Sequence, residues 1–294
     1  FRSGKKYCCT VICGHSSFYW IVSRWADENG FERKRNFMIQ ISNLSKKYGE
    51  TVVFSDLNYT FENACIYGLV GRNGAGKTTL LNILSNYDKN YTGVISIDRK
   101  KMNKVDYLDM PVAYAMDQPG FFNELTIYEN LLLIASSRKI KKQEAFDKIE
   151  RILDGLGLKK YENYSPLELS KGTMQRLNNA CAMIQEEKIT IFDEPFSGLD
   201  PVQMKLLENV IVEFHKKEKG IYIISSHDIE CLQNVCDKCL LLHNGQIREI
   251  NMEEVDREEI AKILSKDFVF ARIDLYNING QIYFGEITLS PNSG

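Results

Sequence analysis

The sequence has little proline and almost no tryptophan: six Pro and two Trp occur among 294 residues. It has no unbroken run of 18 apolar residues, so nothing in it predicts a transmembrane helix. Its formal net charge is only −2, and the missing basic excess argues against a dedicated nucleic-acid binder. Eight Cys are too few for a small disulfide-stapled fold, so a cytosolic globular protein with reduced thiols is expected.

The first 37 residues differ from the rest. They hold both Trp, three of the eight Cys, and seven basic against three acidic residues, whereas the remaining 257 hold 30 basic and 36 acidic. Regular alternation begins at Met38 and predicts a half-buried strand, Met38–Leu44. We hypothesise that Met38 is the natural start and that residues 1–37 are a poorly ordered upstream or non-native extension. A targeting peptide with its apolar part at Tyr7–Gly14 is the alternative, but that run is short.

From residue 38 to about 250, apolar strand patterns alternate with helical patterns. This alternation predicts a parallel sheet that is buried on both faces. Thr126–Glu129 fits a helix-capping box. The further predicted strands are Cys65–Val70, Gly93–Ile97, Lys188–Phe192 and Ile221–Ser225, and the predicted helices are Lys77–Ser85, most of 126–158, and Val202–Lys217.

The C-terminal stretch, residues 251–294, has its own pattern. An acidic helical segment at about 252–266 precedes a strand pattern, Phe268–Leu275. The turn Asn279-Gly280 then leads into a second strand pattern, Gln281–Leu289. This stretch is therefore predicted to be a small appendage or hairpin.

Residues 71–78, GRNGAGKT, match the phosphate-loop pattern G-x-x-x-x-G-K-[ST] in full, between a predicted strand and a predicted helix. Gly71, Gly74 and Gly76 allow backbone conformations that are closed to other residues. The N–H groups of the loop can then surround phosphate oxygens at the positive end of the helix dipole. Lys77 is predicted to reach the β- and γ-phosphates, and the Thr78 hydroxyl to bind Mg²⁺.

A carboxylate pair follows another apolar strand. Ile189–Phe192 delivers Asp193 and Glu194 to its C-terminal end, where open α/β sheets bind ligands. Asp193 is predicted to hold Mg²⁺ through water, and Glu194 to polarise an attacking water. The alternative is a solvated acidic turn before Pro195, which is less favoured beside a phosphate loop.

Together with the residues that follow, these motifs make residues 38–250 resemble the nucleotide-binding subunit of ABC (ATP-binding cassette) transporters. Residues 169–176, LSKGTMQR, resemble the family signature, although Lys171 and Thr173 stand where Gly and Gln are commonest. Ser170 and Gly172 open a predicted helix, so their hydroxyl and amides can face a γ-phosphate. The resemblance implies that this phosphate belongs to ATP held by the other subunit of a dimer.

The remaining family motifs are present in the same order. Ser197–Asp200 resembles the D-loop, and His227 in the segment SSHD resembles the switch histidine that contacts the γ-phosphate. Gln118 resembles the Q-loop glutamine, and Tyr48 resembles the aromatic residue that stacks on adenine. The resemblance implies nucleotide contacts at Tyr48, Gly71, Asn73, Gly74, Gly76, Lys77, Thr78, Thr79, Ser170, Gly172, Gln175 and Asp200; catalytic roles for Glu194, His227 and Gln118; and metal binding by Thr78, Gln118 and Asp193.

The resemblance also implies a fold and a division of the chain. The fold is an α/β P-loop NTPase with a mostly parallel sheet, an antiparallel β subdomain and a helical subdomain. The ATPase domain is expected to span 38–250, with the helical subdomain at about 121–180, and residues 251–294 to be a short C-terminal appendage.

The implied function is that of an ATPase that uses ATP and Mg²⁺ to power transport. Its implied partners are a second ATPase subunit, most simply a homodimer, and a separate integral membrane permease, with no nucleic acid. The implied location is cytoplasmic, peripheral on the inner face of the cell membrane. The short tail and the LSKG form favour export of a drug, peptide or similar compound over import, by analogy alone.

Three other functions make different demands on the sequence. A soluble twin-cassette protein acting at the ribosome requires a second phosphate loop, but the sequence contains only the single pattern at residues 71–78. A chromosome-maintenance ATPase requires a long coiled coil between Gln118 and Ser170, where only 51 residues lie. An ABC ATPase of a non-transport assembly or remodelling system is not excluded by the sequence.

One cysteine pattern could suggest zinc. Cys236-x-x-Cys239 lies close to Cys231, but no second pair with suitable spacing follows. Cys239 also leads directly into the apolar Leu240–Leu242. Buried hydrophobic packing is therefore the favoured interpretation of these cysteines.

Overall fold

The computed structural model describes residues 37–105, 110–116, 120–227 and 229–250, together with strands at 271–278 and 281–289. The sequence before Phe37, the predicted helix at about 252–266 and the predicted turn Asn279-Gly280 lie outside the described residues. Phe37 is buried against the core, so the packed part of the chain includes at least one residue of the expected extension.

Twelve strands and six helices are described. The strands are β1 (Met38–Tyr48), β2 (Thr51–Glu62), β3 (Cys65–Val70), β4 (Thr92–Ile97), β5 (Lys100–Lys101), β6 (Val112–Ala115), β7 (Ile189–Phe192), β8 (Ile221–Ser226), β9 (Lys238–His243), β10 (Gln246–Ile250), β11 (Ala271–Ile278) and β12 (Gln281–Leu289). The helices are α1 (Lys77–Leu84), α2 (Ile127–Ser137), α3 (Lys142–Gly155), α4 (Lys171–Met183), α5 (Pro201–Glu218) and α6 (Ile229–Gln233).

The main sheet has six strands in the order β10-β9-β3-β8-β7-β6. Strands β9, β3, β8, β7 and β6 run parallel, and only β10 at the edge is antiparallel. A second sheet, in the order β2-β1-β4-β5, is antiparallel throughout. The predicted fold class, a mostly parallel sheet with an antiparallel β layer, is therefore confirmed.

The main sheet separates two hydrophobic clusters. In β3, Tyr67 and Leu69 pack with the antiparallel sheet and α1, whereas Ile66 and Val70 pack with α2 to α5 on the other face. Alternate residues of a strand point to opposite faces, so a strand that is apolar at every position can fill both clusters. This explains why the central strands read as continuous apolar runs.

Helices α2, α3 and α4 occupy residues 127–183. The predicted capping box at the start of α2 is confirmed: Thr126 Oγ1 accepts from the Glu129 N–H (3.1 Å), and the Glu129 carboxylate accepts from the Thr126 N–H (2.8 Å). The predicted helical stretch at 126–158 is two helices, broken at Lys139, whose φ is +59°. A side chain in that conformation is strained within a continuing helix, so the chain turns there.

Two buried cations tie these helices to the loop before β7. Arg138, after α2, pairs with Glu187 (2.6 Å) and bonds Gln185. Lys148 in α3 pairs with Glu186 (2.7 Å) and with Glu218 (3.2 Å) at the end of α5. Buried charges are tolerated only when they are paired, so these contacts fix the helices against the sheet.

Five strands, β2, β5, β6, β9 and β10, were missed by the sequence patterns. In β2 the buried residues are Phe54, Leu57 and Phe61, a spacing typical of a helix rather than a strand. Irregular register between β1 and β2, together with Asp56 at φ +52°, breaks the strict alternation. The C-terminal hairpin is formed by β11 and β12, which pair antiparallel.

Candidate active site

The phosphate loop joins β3 to α1, and its glycines are required for two different reasons. Gly74 and Gly76 have φ of +81° and +99°, which side chains rarely adopt. Gly71 lies outside that region, so the expectation that its backbone conformation requires glycine is wrong. A Cβ at Gly71 would lie 2.8 Å from the backbone oxygen of Leu242 in β9, so Gly71 is needed for close packing.

The start of α1 is suited to an anion. Gly76 is the N-cap of α1 and has no side chain, and the first turn of α1 holds no acidic residue. No capping or acidic side chain from these positions therefore fills the space in front of the helix amides. Lys77 is buried, and its Nζ donates to the Gly71 carbonyl (2.8 Å). The other predicted contacts at this turn, Asn73, Thr78 and Thr79, are exposed or partly exposed.

The carboxylate pair lies at the same edge of the sheet, because β3, β7 and β8 are parallel and their carboxyl ends coincide. Asp193, after β7, is 1% exposed. Its carboxylate accepts from the Ser225 hydroxyl (2.6 Å) and lies 3.4 Å from the Tyr114 hydroxyl. A buried carboxylate held by hydroxyl groups keeps a fixed orientation.

Glu194 contacts residues from two other segments of the site. Its carboxylate lies 2.9 Å from His227 Nδ1 and 3.6 Å from Lys77 Nζ. Burial raises the pKa of Glu194, but the hydrogen bond and charge of His227 and the charge of Lys77 outweigh it, so the pKa is lowered from its usual value. Glu194 is therefore ionised at neutral pH and can act as a proton acceptor.

The signature segment has a different set of contacts. Ser170 caps α4: its Oγ accepts from the Thr173 N–H (3.3 Å). A Cβ at Gly172 would lie 2.8 Å from the carbonyl oxygen of Gly198, so the start of α4 packs directly on the predicted D-loop. Asp200, at the end of that loop, caps α5 by accepting from the Gln203 N–H (2.8 Å).

Gln175 points back into its own chain. Its Nε2 donates to the backbone oxygen of Glu194 (3.2 Å). The structure therefore brings Gln175 of the signature helix to the carboxylate loop, the segment that carries Asp193 and Glu194, while Ser170 bonds within its own helix.

Tyr48 lies at the end of β1 and is half exposed. Its hydroxyl donates to Asp88 (3.0 Å), and Lys46 Nζ lies 4.5 Å from the centre of its ring. Lys46 in turn pairs with Asp88 (2.7 Å). These polar contacts hold the ring while leaving much of it exposed, an arrangement that suits a stacking residue.

One predicted site residue cannot be placed, and three residues beside the site were not predicted. Gln118 lies outside the described residues. Ser225, Tyr114 and Asn82 were not predicted, yet the Tyr114 hydroxyl links Asn82 (2.9 Å) to Asp193. The sequence did offer a signal for Ser225, since it is a polar residue at the end of an apolar strand.

Of the cysteines near β9, Cys231 and Cys239 are buried and Cys236 is partly buried. Burial raises the pKa of the Cys239 thiol to about 12 and the pKa of the Cys236 thiol well above its usual value. These raised pKa values agree with the interpretation of the cysteines as buried hydrophobic residues. In the part of the chain that the structure describes, no group of three or more His, Cys, Asp or Glu could hold a metal ion.

Family models match two parts of the chain. One described as ABC transporter matches residues 54–197. One described as TupA-like ATPgrasp matches residues 208–294, which begin within α5 and run through β12. Because β8 pairs with both β3 and β7, the first part of that stretch belongs to the same sheet as the phosphate loop.

Similar proteins cover most of the chain. An uncharacterised ABC transporter ATP-binding protein of Methanocaldococcus jannaschii is 30% identical over 79% of this chain and 87% of its own length. The bacitracin transport ATP-binding protein BcrA of Enterococcus faecalis is 30% identical over 75% of this chain and 71% of its own. The tungstate uptake ATP-binding protein TupC of Peptoclostridium acidaminophilum is 30% identical over 72% and 97%.

Solved structures agree. The ATP-binding subunit of an ABC transporter has a TM-score of 0.67 and 27% identity, covering 77% of this chain and 94% of its own. A dimeric ABC transporter cassette has a TM-score of 0.65 and 22% identity, over 73% and 98%, and so shares the fold. No helix among the described residues is long and apolar enough to cross a membrane. With the phosphate loop, the carboxylate pair and the signature segment in one cassette fold, this chain belongs to the family of ABC transporter ATP-binding subunits and is an ATPase.

Proposed function

We propose that this chain is the ATP-hydrolysing subunit of an exporter of a drug, peptide or similar compound, working as a homodimer on a separate integral membrane permease. The observation that carries the ATPase part is the convergence of Lys77 Nζ and His227 Nδ1 on the Glu194 carboxylate, beside the phosphate loop. Phosphoryl transfer to water needs a positive charge that stabilises the phosphates, here Lys77, and a base that activates the water, here Glu194.

The proposed catalytic roles follow from these positions. Glu194, already ionised, accepts the proton of a water that attacks the γ-phosphate in line. Lys77 offsets the negative charge of the β- and γ-phosphates, and His227 contacts the γ-phosphate. Gln118 is proposed to sense the attacking water, and Tyr48 to stack on adenine.

The oxygen donors at the loop fit Mg²⁺, which prefers carboxylate and hydroxyl oxygens. Asp193 presents a buried carboxylate at the end of β7, and Thr78 an exposed hydroxyl at the start of α1. Thr78, Asp193 and Gln118 would hold the ion. When bound with ATP, Mg²⁺ supplies positive charge that stabilises the phosphates in the transition state.

The dimer is supported by the direction of the signature segment. Ser170 bonds within its own helix α4, and Gly172 packs against Gly198 of the D-loop. They are proposed to face the ATP bound by the second subunit, so that each ATP is held by two chains. Loss of the γ-phosphate then removes the contacts that favoured the closed dimer.

Transport through a permease is supported by the relatives. Two bacitracin transport ATP-binding proteins, from E. faecalis and Bacillus licheniformis, are 30% and 32% identical to this chain. Uptake subunits for tungstate and methionine are similarly close, at 30% and 28%, so direction has to be measured. We place the chain on the cytoplasmic face of the membrane, bound to its permease.

The test is to express the chain with the membrane protein encoded beside it in a bacitracin-sensitive strain and to measure cellular accumulation of labelled bacitracin. Export predicts lower accumulation and higher resistance, both lost with Glu194→Gln. Higher accumulation that also requires Glu194 would overturn export in favour of uptake. Failure to co-purify with any polytopic membrane protein would contradict the permease itself.

A further inference from the structure

Glu194 has a backbone conformation that its surroundings must maintain. Its φ is +49°, in the left-handed region that residues with a side chain rarely occupy. Such a conformation persists only where neighbouring groups hold it, and it is commonly found at functional sites. The peptide groups on both sides of Glu194 therefore need partners from elsewhere in the fold.

Ser225 holds the N–H side. Its Oγ accepts the Glu194 N–H (2.9 Å) and donates its own proton to Asp193 Oδ1 (2.6 Å). A hydroxyl has one proton and two lone pairs, so this one side chain satisfies both neighbours at once. Ser225 has no exposed surface, so water does not readily replace the hydroxyl when it is removed.

Gln175 holds the carbonyl side. Its Nε2 donates to the Glu194 backbone oxygen (3.2 Å) from the second turn of α4. The helix that begins at the signature segment is thereby joined to the carboxylate loop of the same chain. The two bonds come from segments 31 and 19 residues away, so neither is a local turn contact.

We infer that Ser225 and Gln175 are positioning residues that fix the Glu194 peptide from both sides and so aim its carboxylate. With the peptide fixed, the carboxylate stays near His227 Nδ1 and Lys77 Nζ, where a water can be activated. Without either bond the carboxylate samples other directions, so turnover falls while nucleotide affinity does not. This inference rests on the proposed role of Glu194 as the base.

The test uses Ser225→Ala and Gln175→Met, which remove the hydrogen-bonding groups with little change in size. ATP binding by the purified chain and the kcat and KM of hydrolysis are measured. We expect kcat to fall about tenfold or more with KM nearly unchanged, since small misplacements of a catalytic group are costly. Ser225→Thr, which keeps the hydroxyl, should recover much of the loss.

Thr190→Val is the matched control, because it removes a buried hydroxyl of the neighbouring strand β7 that bonds Tyr222. It should leave kcat near that of the unchanged protein. An equal loss in Thr190→Val would overturn the inference, as would normal kcat in both Ser225→Ala and Gln175→Met. Gln175 is only half buried, so Gln175→Met keeps the test decisive if Ser225→Ala does not fold.

A double-mutant cycle separates this inference from the proposed function. In a Glu194→Gln background, Ser225→Ala and Gln175→Met should add little further loss, because the group they aim is already gone. A full additional loss would mean that they act elsewhere, for example through Asp193, and would overturn the inference. Normal turnover by Glu194→Gln alone would instead overturn the role of Glu194.

Discussion

The phosphate-loop side and the signature side of this protein are built in opposite ways. On the phosphate-loop side, Lys77 Nζ and His227 Nδ1 both lie within 4 Å of the Glu194 carboxylate at a sheet edge. On the signature side, Ser170 bonds within its own helix and Gly172 packs against the D-loop. The first side is a cluster that can do chemistry, and the second is a surface held in shape by packing.

The difference explains how one chain can carry residues for two sites. The groups that act together within this chain interact electrostatically, so removing one of them leaves its partners without their ion-pair or hydrogen-bond contact. Groups that act on a nucleotide of another subunit need only a rigid, correctly shaped support. The two sides are joined by hydrogen bonds from α4, in which Gln175 donates to the carbonyl of Glu194 and Asn179 to the carbonyl of Pro195. Substitutions on the first side should therefore change chemistry, and those on the second should change shape.

The largest expected effect is on the charged cluster. Glu194→Gln keeps the shape of the side chain but cannot accept a proton, so ATP hydrolysis should fall about 100-fold or more while ATP binding is retained. Single-turnover hydrolysis and equilibrium binding of a fluorescent ATP analogue measure the two separately. Glu213→Gln, an exposed change in α5, is the control. Turnover close to that of the unchanged protein would refute Glu194 as the base.

The next effect tests the packing of the signature side. In Gly172→Val the new side chain would meet the Gly198 carbonyl at 2.8 Å and Gln203 Oε1 at 3.2 Å. The start of α4 must then shift. We expect hydrolysis to fall about tenfold, which corresponds to about 1.4 kcal/mol of activation free energy. ATP binding by the phosphate loop should persist. The control is Lys171→Ala at the exposed neighbour; joint loss of binding and hydrolysis in Gly172→Val would erase the proposed separation.

These residues show how far sequence reasoning reaches. The phosphate loop and the carboxylate pair are contiguous patterns beside apolar strands, and the chain places Lys77 and Glu194 together as expected. Ser225 and Gln175 act through bonds to residues far along the chain, which no local spacing reveals. β2 was missed because bulges give it a helix-like burial pattern.

A third prediction concerns the support beneath the signature helix. Arg176 is buried, and its Nη1 donates to the Leu156 carbonyl at the end of α3 (2.7 Å). Burial lowers the pKa of Arg176. Arg176→Met leaves that carbonyl without its donor, so we expect a loss of about 2 kcal/mol in the free energy of unfolding.

Urea unfolding measures that change. Arg151→Met, at an exposed position of α3, is the matched control and should change stability by less than about 0.5 kcal/mol. If Arg176→Met is as stable as Arg151→Met, the guanidinium does not support α4. A loss of hydrolysis without any loss of stability would instead place Arg176 in the chemistry.

The smallest expected effect separates two roles of Asp200. Its carboxylate caps α5 through the Gln203 N–H, so Asp200→Ala should lower stability by about 1 kcal/mol. Asp200→Asn keeps a capping oxygen and should cost only a few tenths of a kcal/mol. Because Asn removes the charge and keeps the cap, a drop in hydrolysis in Asp200→Asn at unchanged stability would assign the charge to the nucleotide site. Normal hydrolysis in Asp200→Asn with a destabilised Asp200→Ala would make Asp200 a helix cap alone, and the D-loop would then act on the site through its backbone and through its packing on Gly172.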